Sequence, residues 1–331
     1  VASARRLTLA VSDYDHVRDL VTGAAAVPGI ELAVEMLEVG EIFQRAMRSQ
    51  PWDVHEMSLG MYVARLAAGD RSLAAIPVFP SRMFRLSAWF VRADGPVQQP
   101  ADLRGRRVGD PDWAMTAGIY ARGWLQHEIG VAPAEIEWVQ AGLNAPGRTE
   151  TLAFHFPPGL RRSSRPDSSL DAMLAAGEID AVLSAQPPRG FFTPGGGVRR
   201  LVGEAAVQER DYARRSGIFP IMHVIAMRRE LAGEPGLAAA LMAGFEAAKC
   251  RSLARLRDSM ASRFPYPWTW TLATEAEALF GADPWPYGVA RNRPTLEAFL
   301  DFCAEQGVGA RRVALQELFV PGAEEPAALG G

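Results

Sequence analysis

The strongest constraint on this chain is a change of hydrophobic period that repeats through its first 79 residues. Residues 7–11 form an apolar run that ends at Ser12-Asp13-Tyr14-Asp15, after which Val17, Leu20 and Val21 return at helical spacing and Gly23 closes the segment. Residues 31–37 alternate as a half-buried strand does, and 41–49 put Ile42, Phe43, Ala46 and Met47 on one helical face. Residues 53–57 read as a short strand, Ser58 is a good N-cap, and Leu59, Tyr62, Val63 and Leu66 form the stripe of a helix that closes at Gly69. With a further apolar run at 74–79, the alternation predicts a mostly parallel sheet covered by helices, since a parallel neighbour is reached only through a crossover.

The run 74–79 and a second one at 87–91 are joined by a corner that carries Arg82 and Arg85. The planar fork of arginine donates two parallel hydrogen bonds to a carboxylate and stays charged at any working pH. Two arginines at one corner suggest an anion site, although both also suit an ordinary loop surface. The pattern breaks at Ala93-Asp94-Gly95-Pro96, and a second strand–helix series follows: a strand from Arg107, a helix carrying Tyr120 and Trp124, a strand at 135–140, a helix at 170–176 and strands at 179–183 and 198–202. The stretch 141–167, rich in Gly, Pro, Arg and Ser, is assigned little regular structure. The apolar run 218–226 then carries the chain back, and helices at 237–257, 275–280 and 294–306 follow. The expected fold is a two-lobed α/β protein with an inter-lobe cleft: lobe 1 from residues 1–92 and 218–331, and lobe 2 inserted as 93–217.

Composition removes several alternatives. A net charge of −3 without blocks of like charge leaves no electrostatic footprint for nucleic acid or an anionic membrane. No apolar run approaches the roughly 20 residues that span a bilayer. The start of the chain lacks the basic, apolar and small-residue succession of a secretory signal, so a cytoplasmic protein is expected, or one whose signal has been removed. Lys249 is the only lysine and sits in a helical run. A pyridoxal-phosphate enzyme needs a lysine for its Schiff base and a P-loop needs one for phosphates, so neither is expected. The triple glycine at 195–197 has no strand before it and helix after it, and reads as a flexible loop.

In open α/β sheets ligands bind outside the carboxyl ends of the strands, where helices begin. The helix capped by Ser58 and the one starting near Ala114 and Thr116 would both face the cleft, each offering partial positive charge to an anion. With these residues in view, SDYDHVR (12–18), EIFQRAMR (41–48), DVHEMSLGMYV (53–63), IPVFPSRMFRLSAWFV (76–91), GIFPIMHV (217–224) and DPWPYGVARNR (283–293) resemble the 4,5-dihydroxyphthalate decarboxylase family, in the family's order and over nearly the whole chain. ADLRGRRVGDP (101–111) and LDAMLAAGEIDAVLSA (170–185) resemble the wider group with the type II periplasmic-binding-protein-like fold. The resemblance implies cofactor-independent decarboxylation of a hydroxylated aromatic acid by a homo-oligomer. Leu86 stands where the family pattern carries His, and Gln186 where it often carries Arg.

Such a reaction needs a proton donor, a group that accepts or polarises a phenolic proton, and an anchor for the carboxylate that stays. Arg82 and Arg85 are the expected anchors. His223, polar within an otherwise apolar run, is the expected proton donor; a satisfied core histidine is the alternative. Asp13 or Asp15, where the first strand ends, would take the phenolic proton, with helix capping as their other role, and Tyr14 between them would meet the substrate. Ser58 and Thr116 join the substrate-binding set. The departing carboxylate belongs in a drier pocket lined by Phe84, Trp113 or Trp285, and Trp285 and Tyr287 either close the cleft or pack a loop. Strand alternation puts Asp53 and His55 on one face and Glu56 on the other, so no shared metal ion is expected. The same fold also serves solute-binding proteins for small carboxylates, and a different hydroxylated or heteroaromatic acid remains a further substrate reading.

Overall fold

The computed structural model describes residues 5–150, 152–195, 197–261, 263–323 and 325; Gly196 of the glycine loop lies outside the described residues. Strand β1 (Arg5–Val11), helix α1 (Asp15–Val21), β2 (Ile30–Met36), α2 (Val39–Ser49), β3 (Val54–Ser58), α3 (Leu59–Ala67) and β4 (Leu73–Ile76) follow the alternation read from the sequence. Next come β5 (Trp89–Arg92), β6 (Arg107–Asp110), α4 (Thr116–Trp124), β7 (Glu137–Gly142), β8 (Arg161–Ser169), α5 (Leu170–Ala176), β9 (Ala181–Leu183), β10 (Val198–Arg200) and α6 (Ala205–Ser216). β11 (His223–Arg228) returns, followed by α7 (Leu237–Leu256), α8 (Thr269–Phe280) and α9 (Arg293–Glu305).

The strands form two sheets, ordered β2-β1-β3-β11-β4 and β10-β5-β9-β6-β7-β8. In the first, β1 lies parallel to β2 and β3, while β11 enters antiparallel between β3 and β4. In the second, β6 runs parallel to β7 and β9, and β7 to β8, whereas β5 opposes both β9 and β10. The result is the expected two-lobed α/β architecture.

Several segments differ from expectation, among them α6, which the sequence reading did not assign, and α8, which starts at Thr269 rather than at 275. Residues 87–91 were assigned to lobe 1, yet β5 is hydrogen-bonded inside the second sheet. Its backbone is satisfied by partners on both sides, which an apolar run alone does not identify. Within 141–167, β8 begins at Arg161; its sequence RRSSRPDSS has no apolar alternation because it is an edge strand with much of its surface exposed. The returning strand begins at His223 rather than at 218. Pro220 lacks an N–H, and the preceding residues pair instead with the outgoing corner: Met222 N–H donates to the Ser81 carbonyl at 2.8 Å and Met83 N–H to that of Pro220 at 3.2 Å.

α3 shows why its sequence folds as read. Ser58 Oγ accepts the Met61 N–H at the first turn, and Leu59, Tyr62, Val63 and Leu66 are buried along one flank. One hydrophobic core runs through both sheets, joining Leu9 and Val54 of the first to Val108 and Trp138 of the second. α4 packs on α9, with the rings of Tyr120 and Phe299 4.8 Å apart, and the buried Arg122 reaches Gln306 Oε1 at 2.7 Å. No helix among the described residues is long and apolar enough to cross a membrane.

Candidate active site

The carboxyl ends of β3, β6, β7 and β9 meet the start of β11 around a cavity of about 400 Å³. Because β11 runs antiparallel, its first residue lies at this same edge: His223 is the register partner of Ser58, the last residue of β3. Ser58, Arg85, Thr116 and His223, all singled out from the sequence, line the cavity. So do Asp112, Arg148 and Gln186, and an apolar wall that includes Phe43, Met61, Met115 and Met222.

The two helix starts converge. Ser58 Oγ and Thr116 Oγ1 are 3.0 Å apart, and Thr116 Oγ1 accepts the Gly60 N–H at 2.9 Å. The approach needs Gly60, since a Cβ there would lie 2.2 Å from the Ala114 carbonyl oxygen. Two first-turn N–H groups of α3 are thus already satisfied by Ser58 and Thr116, and α3 offers a ligand its hydroxyl and partial positive charge rather than free N–H groups. Arg85 donates to Met222 Sδ at 3.1 Å and to the Ala185 carbonyl at 3.3 Å, both neutral acceptors. Burial lowers its guanidinium to about 10, with the Glu209 charge nearby opposing the shift, so it is still a cation at neutral pH and can take an anion in the cavity as a hydrogen-bonding partner. Arg148 is paired with Asp112 at 3.1 Å.

Behind His223 lies a residue that sequence reasoning set aside. Glu56 is fully buried in β3, and its Oε1 meets His223 Nδ1 at 2.5 Å and the Tyr14 hydroxyl at 2.6 Å, while Oε2 accepts the Ser12 N–H at 3.0 Å. Burial alone would raise this carboxyl; the hydrogen bonds and charge of its partners outweigh it and hold Glu56 below the usual carboxylate range. The same burial, with the Glu56 charge nearby, pushes the Tyr14 hydroxyl far above its ordinary value, so it stays a donor. The edge of Phe43 packs against the His223 ring at 5.0 Å. The available signal was Glu56 itself, a carboxylate on the short run 53–57 that reads as a strand.

The remaining expected site residues fall elsewhere. Arg82 is buried and donates to the carbonyls of Pro286 and Phe219 at 3.2 and 2.8 Å, so it ties loops together rather than facing the cavity. Asp13 is exposed, and Asp15 accepts from Ser252 Oγ at 2.6 Å and Arg255 at 3.0 Å, turned toward α7. Phe84 stacks on Phe219 and Phe280, and Trp113 is a core residue whose indole N–H donates to the Gln306 carbonyl at 2.8 Å. Trp285 donates to the Phe79 carbonyl at 2.9 Å, and Tyr287 is buried beside the Lys249 ammonium, 4.5 Å from its ring centre. Of the two departures from the family pattern, Gln186 lines the cavity; Leu86 is buried, its N–H bonded to Glu209 at 3.1 Å.

A larger, more apolar hollow of about 510 Å³ lies between α7 and α8, bounded by Phe219, Phe280 and Trp285. The charges on its wall are already matched, Asp15 by Arg255 and Lys249 by Glu246 and Asp283. The smaller cavity is the one that brings Ser58, Arg85, Thr116 and His223 together. The Asp53, His55 and Glu56 side chains diverge: Asp53 accepts from Thr8 N–H and Oγ1 at 2.9 Å each, and His55 Nδ1 bonds the Glu56 carbonyl at 3.0 Å. Among the described residues no group of three or more His, Cys, Asp or Glu side chains is placed to hold a metal ion.

No family model matches the chain. Over 325 residues, 98% of each protein, it is 35% identical to a 4,5-dihydroxyphthalate decarboxylase of Comamonas testosteroni. It is also 35% identical over 186 residues to a 4,5-dihydroxyphthalate decarboxylase of Pseudomonas putida, covering 56% of this chain and 72% of that one. Among solved structures it is similar to the periplasmic aliphatic sulphonate binding protein SsuA from Escherichia coli, with a TM-score of 0.55 at 15% identity, over 99% of this chain and 95% of that one. At that identity the likeness concerns the fold alone.

Proposed function

The chain belongs to the 4,5-dihydroxyphthalate decarboxylase family, and we propose that it removes one carboxylate from a hydroxylated aromatic dicarboxylic acid, 4,5-dihydroxyphthalate first, to leave protocatechuate. The observation that carries this reading is the meeting of His223, Arg85 and the Ser58–Thr116 pair on the wall of one cavity at the strand ends.

The chemistry follows from the substrate. A hydroxyl para to a carboxylate pushes electrons into the ring as its proton is drawn away. The carbon bearing that carboxylate then takes a proton, giving a dienone. The bond to the carboxylate breaks, its electron pair restores the aromatic ring, the dienone oxygen takes back the proton drawn from it, and CO2 departs; in sum one proton is consumed and one C–H bond replaces one C–C bond.

His223 is the proton donor and Arg85 the anchor for the retained carboxylate, assisted by the two helix starts. The departing group lies against Phe43, Met61, Met115 and Met222, because clamping it equally in ground and transition states would not speed its loss. Asp112, a carboxylate on the cavity wall, takes the role foreseen for Asp13 and Asp15. The same reading carries a cytoplasmic homo-oligomer.

The test is incubation of the purified, metal-stripped protein with 4,5-dihydroxyphthalate, following CO2 and protocatechuate together. Turnover is expected, and His223→Gln is expected to lower kcat by about 10²- to 10⁴-fold with substrate binding retained. Near-normal turnover in that variant would remove His223 from the reaction. Tight binding by the wild-type protein without product would turn the reading to a solute-binding protein.

A further inference from the structure

The geometry points to Glu56 as a positioning residue for this reaction: it fixes the His223 ring through Nδ1 and so reserves Nε2 for the substrate. The inference rests on the assignment of His223 above and adds what makes that histidine a directed donor.

The argument begins with the protonation states that the contacts demand. An ionised carboxylate can only accept hydrogen bonds. Glu56 Oε2 already receives a backbone N–H from Ser12, and Oε1 receives the Tyr14 hydroxyl. The short contact from His223 Nδ1 to that same Oε1 therefore places a proton on Nδ1. With Nδ1 committed to the interior, Nε2 is the ring nitrogen left for the cavity that His223 lines.

The second step concerns why a carboxylate is here at all. Glu56 has no exposed surface, and the basic side chain it meets is the His223 imidazole. A buried carboxylate paired with neither Arg nor Lys is a costly element in the middle of a sheet, and an apolar residue would serve the fold better. Departures of this kind are expected at functional sites. Here the departure sits two residues before the end of β3, and a carboxylate held on Nδ1 leaves Nε2 as the ring nitrogen that can hand a proton to the substrate. When Nε2 hands its proton to the ring carbon, the neutral imidazole keeps Nδ1–H on Glu56 and its orientation is unchanged, ready to be recharged from solvent. The edge of Phe43 on the His223 ring and the stacking of His16 on Tyr14 hold the donors in place.

A double-mutant cycle separates a residue that acts through His223 from one that merely supports the fold. Glu56→Gln, His223→Gln and the double variant are assayed for kcat and KM on 4,5-dihydroxyphthalate, with near-ultraviolet circular dichroism as the check on folding. Glu56→Gln is expected to lower kcat by about tenfold or more with KM little changed, and the double variant to be no slower than His223→Gln alone. Multiplying effects, or an unimpaired kcat in Glu56→Gln, would overturn the inference. The ¹⁵N spectrum of the His223 ring in the wild-type protein supplies a measurement that needs neither turnover nor a folded variant. Nδ1 protonated is the expected result, and an Nε2–H tautomer with bare Nδ1 would overturn the inference even if catalysis were normal. A wild-type protein that turns nothing over sinks the decarboxylase reading, and the ring spectrum then still decides whether Glu56 orients His223.

Discussion

Arg82 and Arg85 stand three residues apart on one corner, yet the fold gives them opposite work. The Arg85 guanidinium lies at the cavity with neutral acceptors, whereas that of Arg82 is enclosed and bonded to two loop carbonyls, its cation 4.2 Å from the centre of the Phe219 ring. A charge-assisted hydrogen bond is worth about 1.5 to 3 kcal/mol, so Arg85→Ala is expected to raise KM by about 10- to 100-fold with the fold intact. Arg82→Ala is expected to do the reverse: KM close to wild type, and a loss on the order of 2 to 5 kcal/mol in urea-induced unfolding, from two orphaned carbonyls and a cavity. Equal KM effects from the two substitutions would contradict this division. From the sequence the two arginines were indistinguishable, because side-chain direction at a corner is set by what the returning chain brings opposite it.

α3 and α4 belong to different sheets in sequence order, and their first turns touch through Gly60, Thr116 and the Ala114 carbonyl. Gly60→Ala would place a methyl group 2.2 Å from the Ala114 carbonyl oxygen. Backbone cannot yield as a flexible side chain would, so the two helix starts are expected to part. Ligand affinity, read by calorimetry, should then fall by at least about tenfold, and the thermal midpoint should drop; an alanine variant that binds normally would show that the convergence does not build the site. At this scale the sequence was informative where local chemistry decides. The Ser58 cap and the stripe of α3 were readable because both signals are contained within one turn or two. β8 was not, since a polar edge strand carries no period of its own and is defined by its pairing to β7.

For the molecule as a whole, folding buries several titrating groups, His16 of α1 and Glu56 of β3 among them. Burial holds the His16 imidazole neutral down to about 4, against an ordinary value of 6.5; the Glu56 and Asp15 charges oppose this without reversing it. The unfolded chain takes up this proton below 6.5 and the folded chain only near 4, so stability is lost as pH falls through that interval, by about 3 kcal/mol at most. Urea unfolding at pH 7 and pH 4.5 should show a smaller acid loss in His16→Gln than in the wild-type protein. Identical losses would mean that His16 is protonated normally in the folded state. Glu56, held below the usual carboxylate range, adds to the same trend at lower pH, where its protonation releases His223 and Tyr14.

Hydrophobic period, cap chemistry and breaks in the pattern are properties of neighbouring residues, and they sufficed for the order of most elements, the two-lobed class, the corner with its arginines and the oddity of a histidine within an apolar run. Which residues meet across the gap between sheets is a property of packing at long range. Strand alternation states that Glu56 and His55 point to opposite faces, but only the antiparallel arrival of β11 puts His223 against the first of them. The same holds for the aromatic residues: Phe84, Trp113 and Trp285 are apolar enough for a substrate pocket or for a core, and the tertiary structure spends them on the core and on the hollow beside α8. The cavity is instead walled by Phe43 and three methionines from four separate segments, a set that no local pattern could have assembled.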